Sequence, residues 1–233
     1  MRRFDKSKFI KFIIDNNVII LSDQGFKLKS GRTSPYYINW RVVTNDVYLI
    51  DELTNFILDF IHDLDLNFDC IFGVPEGTTK IAIITQYKWA KSREDYKLRR
   101  YTLPMGRGRV KDYGDPRDKY FIGEPKGNVI ILEDVVTTGN SLLSAIEMCR
   151  NVGTNVIATI ILTDRLELRD DGKHVKDVIE NSGIKYYSMS TIIDILKVLI
   201  KEELINNETK RKVIEYLKTY SILKDKVLEE IEV

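Results

Sequence analysis

Cysteine is scarce in this sequence, which contains only Cys70 and Cys149 among its 233 residues. The two lie far apart inside apolar segments, a placement typical of buried thiols in a reducing compartment and not of a disulfide framework. The chain also lacks an uninterrupted apolar run of the roughly 20 residues that a membrane-spanning helix needs. Lys11 and Asp15 interrupt the apolar residues near the N-terminus, so we expect no signal peptide. These absences predict a cytoplasmic protein with no membrane partner.

An excess of charge of either sign is missing as well. The chain has 36 basic and 35 acidic residues, a formal net charge of +1. This balance argues against a protein that coats nucleic acid or an anionic surface through its overall charge, and we expect no nucleic-acid partner. Any phosphate binding must therefore depend on a local site.

The distribution of apolar residues predicts an α/β fold. Short apolar runs indicate buried strands, whereas apolar residues spaced three or four positions apart indicate helices. The strand candidates are 70–74, 129–132 and 156–163, with a further one at 99–102; the helix candidates are 9–18, 47–61, 81–90, 141–152 and 192–223. Strands and helices that alternate in this way predict a parallel sheet with helices on both faces.

Polar residues of functional interest follow the predicted strands. Ligands of parallel sheets bind beyond the carboxyl ends of the strands, so the loops after Val74, Leu132 and Thr163 should converge. The polar loop 104–127 is longer than most connections, and such loops are either disordered or functional lids. Residues 25–39 combine turn-forming residues with Lys, Arg and Tyr, which predicts a shaped loop or hairpin.

Two adjacent carboxylates, Glu133 and Asp134, directly follow the buried run 129–132. Carboxylates accept hydrogen bonds from both hydroxyls of a sugar diol. The next segment, TTGNS, lies where a strand passes into a helix, so its backbone N–H groups can bind a phosphate. Together these features predict a site for a ribose 5-phosphate. The alternative is that the two acids are only solvated and that Asn140 or Ser141 caps the helix.

The segment TTGNS lacks the lysine of a Walker A loop, so a nucleoside triphosphatase is not expected. Instead, VIILEDVVTTGNS resembles the phosphoribosyl pyrophosphate (PRPP) motif of type I phosphoribosyltransferases. Four further segments are similar to orotate phosphoribosyltransferases, in the same order along the chain. They are GFKLKSGRTSPYYIN (25–39), FGVPEG (72–77, the pyrophosphate loop), RGRVKDYG (107–114, the mobile catalytic loop) and LTDRLE (162–167).

The resemblance implies a type I phosphoribosyltransferase fold. Its domain would span residues 1–195, including a small N-terminal hood of about 40 residues, and a helical extension, 196–233, would pack on the same domain. The implied reaction transfers the 5-phosphoribosyl group from PRPP to N1 of orotate, giving orotidine 5′-monophosphate and pyrophosphate. Mg²⁺ would be held mainly by PRPP oxygens and water, with no direct protein ligand expected. In the family, the loop corresponding to 104–127 reaches the partner subunit, which implies a homodimer.

The same resemblance assigns roles to individual residues. Cations around the departing pyrophosphate should dominate catalysis. The implied catalytic residues are Lys29, Arg107, Lys111, Tyr113 (in place of a histidine found in many relatives) and Asp134. The implied PRPP site comprises Glu76, Gly77, Glu133, Asp134, Val135, Thr137, Thr138, Gly139, Asn140 and Ser141. The implied orotate site comprises Thr137, Arg165, whose planar guanidinium suits the carboxylate, and Tyr37 in preference to Tyr36.

Departures from the family pattern leave alternatives open. Gly108 replaces a frequent lysine, and Glu76 would repel pyrophosphate unless a metal or Lys80 intervenes. Lys29 could be an ordinary hairpin charge, and Arg165 could pair with a neighbouring acid on the surface. A phosphoribosyltransferase for another base would be favoured if Arg165 faced solvent. A non-catalytic PRPP-sensing regulator would be expected to carry a DNA-binding module, for which the segment before residue 25 is too short.

Overall fold

The fold is known from a computed structural model, which describes residues 2–108 and 119–232. In chain order its elements are α1 (Lys6–Asp15), β1 (Ile19–Lys27), β2 (Thr33–Ile38), α2 (Arg41–Thr44), α3 (Val47–Asp63), β3 (Cys70–Gly73), α4 (Thr79–Lys91), β4 (Met105–Gly106), β5 (Phe121–Ile122), β6 (Asn128–Val136), α5 (Asn140–Asn151), β7 (Asn155–Asp164), α6 (Val175–Glu180), β8 (Lys185–Thr191), α7 (Ile192–Lys201), α8 (Asn207–Tyr220), a 3₁₀ turn (Lys224–Lys226) and α9 (Val227–Glu232).

A parallel sheet with the strand order β3-β6-β7-β8 forms the centre of the molecule. Successive residues of a strand point to opposite faces, and β6 follows this rule. Ile130 and Leu132 pack into the core shared with α3, α7 and α8, whereas Val129 and Ile131 pack against α5 and α6 on the other face. Both faces are therefore covered by helices, as the sequence predicts.

The N-terminal hood consists of α1 and the antiparallel hairpin β1–β2. Phe9 of α1 stacks on Trp40, with ring centroids 5.7 Å apart. The Trp40 indole donates a hydrogen bond to Oγ1 of Thr163 at 3.2 Å, which connects the hood to the carboxyl end of β7. The hairpin is consequently held over the end of the sheet where ligands bind in this class of fold.

The C-terminal helices pack on the hood and the sheet. Helix α7 runs across the expected domain boundary at 195/196, and Val213, Leu217 and Val227 lie in the same core as the hood residues. Thr209 Oγ1 donates to Asp23 Oδ1 of β1 at 2.7 Å, so α8 is also hydrogen-bonded to the hairpin. The extension thus lies beside the hairpin and not apart from it.

The predicted strand at 99–102 is wrong. Arg99 has a φ of 60° and lies in a turn, because a left-handed residue interrupts the extended backbone that a strand requires. The two ends of the long loop 104–127 instead pair as the short antiparallel ribbon of β4 and β5. No helix within the described ranges combines the length and the apolar content needed to cross a bilayer.

Candidate active site

A cavity of about 850 Å³ opens at the carboxyl ends of β3, β6 and β7, beneath the hood. The three loops predicted to converge do so here. Its lining includes many predicted residues: Lys29, Tyr37, Glu76, Gly77, Glu133, Asp134, Val135, Thr137, Thr138, Gly139, Asn140, Ser141 and Arg165. The segments that were singled out separately in the sequence therefore surround one space.

The acidic pair lies within β6, which continues to Val136 instead of ending at Leu132. Glu133 is only 6% exposed and Asp134 is half-buried. Burial, and next the neighbouring Asp134 carboxylate, raise the pKa of Glu133 well above the usual range of a glutamate, while Lys29 acts in the opposite direction. Asp134 Oδ1 accepts the N–H of Val135 at 2.8 Å, which fixes this carboxylate against the strand.

The segment after β6 presents an open helix N-terminus to the cavity. Gly139 is the N-cap of α5, with a φ of 74°, and among the described residues no side chain caps this helix. The alternative in which Asn140 or Ser141 caps the helix is therefore wrong. A Cβ atom at residue 139 would collide with the side chain of Val175, so this position requires glycine in both conformation and space. The first N–H groups of α5 remain available to an anion.

Arg169 forms hydrogen bonds with this segment. Its Nη1 donates to the carbonyl oxygen of Thr138 and, at 3.2 Å, to Oδ1 of Asn140. Neither composition nor the quoted motifs pointed to Arg169, because its partners are brought to it by the return of the chain after β7. A backbone carbonyl as partner leaves no signal in a sequence.

The opposite wall contains a buried arginine. Arg165 is 1% exposed, its Nε lies 2.7 Å from Glu167 Oε1, and its guanidinium carbon lies 4.1 Å above the ring of Tyr36. The pairing with Glu167 foreseen as an alternative does occur, but in the interior and not on the surface. Tyr36 is fully buried while Tyr37 lines the cavity, as expected for neighbours on opposite faces of a strand.

Two cations that were not assigned as site residues also line the cavity. Arg41 begins α2 and Lys80 lies in the first turn of α4, where its Nζ donates to the carbonyl oxygen of Thr44 at 3.3 Å. Lys29 lies exposed in the turn between β1 and β2. Arg41 follows the quoted segment 25–39 by two residues, so a longer motif window would have included it.

Gly108 and Glu76, two departures from the family pattern, lie close together in the structure. A Cβ atom placed on Gly108 would lie 2.5 Å from Oε1 of Glu76. A lysine at position 108 would therefore require Glu76 to move. Gly77 is similarly close to the acidic pair, since its Cβ would lie 2.7 Å from Oδ2 of Asp134.

Part of the expected lid is described. Arg107 is half-buried at the end of the β4–β5 ribbon, where its backbone N–H donates to the carbonyl oxygen of Tyr120 at 2.9 Å. Gly108, the next residue, reaches the cavity. Lys111 and Tyr113 lie outside the described residues.

The cavity offers oxygen atoms but no preformed metal cage. In the described ranges no group of three or more His, Cys, Asp or Glu side chains could hold a metal ion. Asp134 and Glu76 nevertheless bring carboxylates to the cavity. Mg²⁺ prefers oxygen ligands and is commonly bound through one or two carboxylates plus substrate phosphates, so this donor set fits Mg²⁺ carried by a phosphorylated substrate.

Comparisons with known proteins identify the family of this chain. A family model described as "Phosphoribosyl transferase domain" matches residues 121–192. The orotate phosphoribosyltransferase of Sulfurisphaera tokodaii is 30% identical over 210 residues, which cover 90% of this chain and 96% of the relative. The chain belongs to the orotate phosphoribosyltransferase family. Two solved members of that family share its fold.

The first of these structures is the orotate phosphoribosyltransferase of Francisella tularensis, with a TM-score of 0.68 and 20% identity, covering 92% of this chain and 99% of the other. The second is the enzyme of Mycobacterium tuberculosis H37Rv in complex with PRPP, with a TM-score of 0.57 and 20% identity, covering 82% and 98%. The type I phosphoribosyltransferase fold expected from the sequence is confirmed.

Proposed function

We infer that this chain transfers the 5-phosphoribosyl group of PRPP to N1 of orotate, forming orotidine 5′-monophosphate and pyrophosphate in pyrimidine nucleotide biosynthesis. The observation that carries this conclusion is the composition of one cavity: an acidic pair, an uncapped helix N-terminus and a buried arginine line the same space. These are complementary to a ribose, its 5-phosphate and a carboxylated base. Family membership points to the same reaction.

The ribose 5-phosphate end is proposed to lie on β6 and α5. Thr137–Ser141 would bind the 5-phosphate through backbone N–H groups at the positive end of the helix dipole, and Val135 would lie at its edge. Glu133 and Asp134 would accept hydrogen bonds from the ribose hydroxyls. The open N-terminus of α5 and the placement of both acids on the cavity support these roles.

A charge imbalance around Arg165 and Arg32 supports the proposed position of the base. The buried carboxylate of Glu167 lies 2.8 Å from Nη1 of Arg32 and 2.7 Å from Nε of Arg165, so two guanidinium groups share it. The second acid near Arg32, Asp170, is 3.6 Å away and 97% exposed. An incompletely paired buried cation is costly, and the carboxylate of orotate would supply the missing negative charge. Tyr37 and Thr137 would then border the pyrimidine.

Departure of pyrophosphate is the step at which the remaining cations would act. The bond from C1 of the ribose to pyrophosphate breaks as the bond to N1 of orotate forms, N1 gives up its proton to the departing pyrophosphate or to water, and negative charge develops on the leaving group. Lys29, Arg107 and Lys111 are proposed to stabilise this charge, with Tyr113 beside them and Glu76 and Gly77 at the pyrophosphate. Charge neutralisation on the leaving group is the chemistry that bound Mg²⁺ would supply.

The loop 104–127 is proposed to close over the cavity, shared with the partner subunit of a homodimer. Closure would exclude water from the reacting ribose.

A cytoplasmic location is proposed as well. Cys70 and Cys149 are both free and buried, and burial raises the pKa of Cys149 to about 12, so this thiol stays protonated. Two free thiols are typical of a reducing compartment.

The decisive experiment follows orotate consumption spectrophotometrically with PRPP and Mg²⁺, comparing the wild type with Lys111→Ala. The wild type should consume orotate only when PRPP is present. Lys111→Ala should lower kcat by about 100-fold, the magnitude of losing one charge-stabilising group. Lys185→Ala is the control, since Lys185 is exposed at the amino end of β8, opposite the cavity.

Binding of PRPP without orotate consumption would overturn the proposed reaction and favour another base or a PRPP sensor. Unchanged kcat in Lys111→Ala would leave the reaction standing but refute the role of this loop lysine. Omitting Mg²⁺ in the presence of a chelator should abolish turnover, and unaffected turnover would refute the metal requirement.

A further inference from the structure

The C-terminal helix α8 reaches the base end of the cavity through one side chain. Tyr216 is 7% exposed, and its ring lies edge-on to that of Tyr36, with centroids 5.7 Å apart. Tyr36 in turn stacks against the guanidinium of Arg165. The extension beyond residue 195 therefore contacts the arginine that faces the proposed carboxylate of the substrate.

Hydrogen bonds make this contact specific. The Tyr216 hydroxyl lies 3.0 Å from Oε1 and 3.1 Å from Oε2 of Glu167, to which it donates its proton. The same oxygen accepts from Nη2 of Arg165 at 3.4 Å. Burial, followed by the nearby Glu167 carboxylate, raises the pKa of Tyr216 to about 12, so the hydroxyl keeps its proton at neutral pH.

We propose that Tyr216 is a positioning residue that sets the orientation of Arg165 for recognition of the substrate carboxylate. A guanidinium is a planar fork whose bidentate contact with a carboxylate depends on its angle. Nε of Arg165 donates to Glu167, and Nη2 donates to the hydroxyl of Ser34 at 2.9 Å. The Tyr216 hydroxyl contacts both the Glu167 carboxylate and Nη2 of Arg165. Without that hydroxyl, Glu167 loses a donor and Arg165 loses an acceptor on the same side. The guanidinium keeps Glu167, Ser34 and the ring of Tyr36 as partners, but its angle is then less tightly fixed.

This inference rests on the proposed role of Arg165 at the carboxylate of orotate. It predicts an effect limited to that carboxylate, whereas a purely structural role for Tyr216 would weaken all ligands or only the fold. Orotidine 5′-monophosphate and uridine 5′-monophosphate differ by this one group. The ratio of their dissociation constants therefore isolates the contribution of the carboxylate, without a catalytic step.

The test compares this ratio in the wild type, Tyr216→Phe and Tyr220→Phe by isothermal titration calorimetry. Tyr216→Phe keeps the ring and removes only the hydroxyl. It should reduce the preference for orotidine 5′-monophosphate by about threefold to tenfold, the usual effect of one hydrogen bond in a charged network, and raise the KM of orotate by a similar factor. The KM of PRPP and the affinity for uridine 5′-monophosphate should stay unchanged.

Tyr220→Phe is the matched control. Tyr220 lies one turn later on α8, its ring contacts Arg32 with the guanidinium carbon 4.7 Å from the centroid, and within the described residues its hydroxyl has no hydrogen bond. It should retain the preference of the wild type. Thermal unfolding of both variants shows whether either has lost its fold. The ratio is also measured in a second variant, Tyr216→Trp, which keeps an aromatic side chain but changes the position of the hydrogen-bond donor.

An unchanged ratio in Tyr216→Phe would overturn the proposal, as would an equal loss of affinity for both nucleotides. A failure of the proposed function looks different. In that case the wild type itself would bind the two nucleotides equally and would not consume orotate.

Discussion

Replacing Gly139 by alanine tests whether the segment before α5 is shaped for an anion. This residue has a φ of 74°, where an L-residue pays about 1–2 kcal/mol relative to glycine. In addition, the new Cβ would collide with Val175, which is fully buried and cannot swing into solvent. Overpacking of this kind typically costs about 1–3 kcal/mol, unless the backbone moves away.

Gly153 provides a control with the same backbone conformation. Its φ is 76°, and a Cβ there would have no heavy atom within 4 Å. Gly153→Ala should therefore lose only the conformational part, about 1–2 kcal/mol of unfolding free energy. Gly139→Ala should lose about 2–5 kcal/mol, or less if the segment shifts to relieve the collision.

Such a shift would be visible in ligand binding. Displacing residue 139 moves the N–H groups that open onto the cavity, so the affinity for PRPP should fall at least tenfold in Gly139→Ala, which corresponds to about 1.4 kcal/mol. Gly153→Ala should bind PRPP as the wild type does. Urea unfolding and calorimetric titration with PRPP measure the two quantities. Equal losses of both stability and affinity in the two variants would refute the role assigned to the space at residue 139.

Two further predictions concern Glu133 and Glu76, two acids of the cavity. Burial raises the pKa of Glu133, so the folded state retains a proton that the unfolded chain loses above pH about 4.3. The free energy of unfolding should therefore fall as the pH rises from about 4.3 towards the pKa of Glu133 in the folded state. Glu133→Gln should flatten this dependence in urea unfolding at pH 5 and 8 and weaken PRPP binding; an unchanged slope would contradict the burial argument. Gly108→Lys should lower the KM of PRPP, because it adds a cation and displaces the Glu76 carboxylate that would repel pyrophosphate, and the gain should be smaller in a Glu76→Ala background, with a coupling of about 0.5–3 kcal/mol. Additive effects in this cycle would show that the two positions do not interact.

The layered fold was predictable because its signals are local. Short apolar runs and helical spacing identified β3, β6 and β7 and the helices around them, and the rule for parallel sheets predicted that their loops converge. The boundaries were less accurate. β6 continues through Glu133 and Asp134, because pairing with β7 extends the ladder from Glu133–Ile161 to Val136–Asp164 regardless of side-chain polarity.

The residues that hold the side chains of the site in place were not predictable in the same way. Arg32, Ser34, Glu167 and Tyr216 form one buried cluster around Arg165, yet their separation in the chain spans the hood, the sheet and the C-terminal helix. Periodicity indicates that Tyr216 lies on a buried helix face, but not that its hydroxyl finds a carboxylate there. Contacts of this kind depend on tertiary packing, which a single sequence does not display.

The segment after β7 connects the two ends of the cavity. Arg165 faces the proposed base end, Glu167 anchors the segment to the hood and α8, and Arg169 donates to the carbonyl oxygen of Thr138 in the proposed phosphate-binding segment. Alternate residues of one short stretch thus reach both proposed ends of the cavity. Backbone hydrogen bonds hold this stretch against the C-terminal region, since the N–H of Leu168 donates to the carbonyl oxygen of Tyr220 at 2.7 Å and the N–H of Ile222 donates to that of Leu166 at 2.9 Å. We therefore propose that this segment sets the distance between the base and the 5-phosphate, and that the C-terminal helix influences it through the contact of Tyr216 with the buried carboxylate of Glu167.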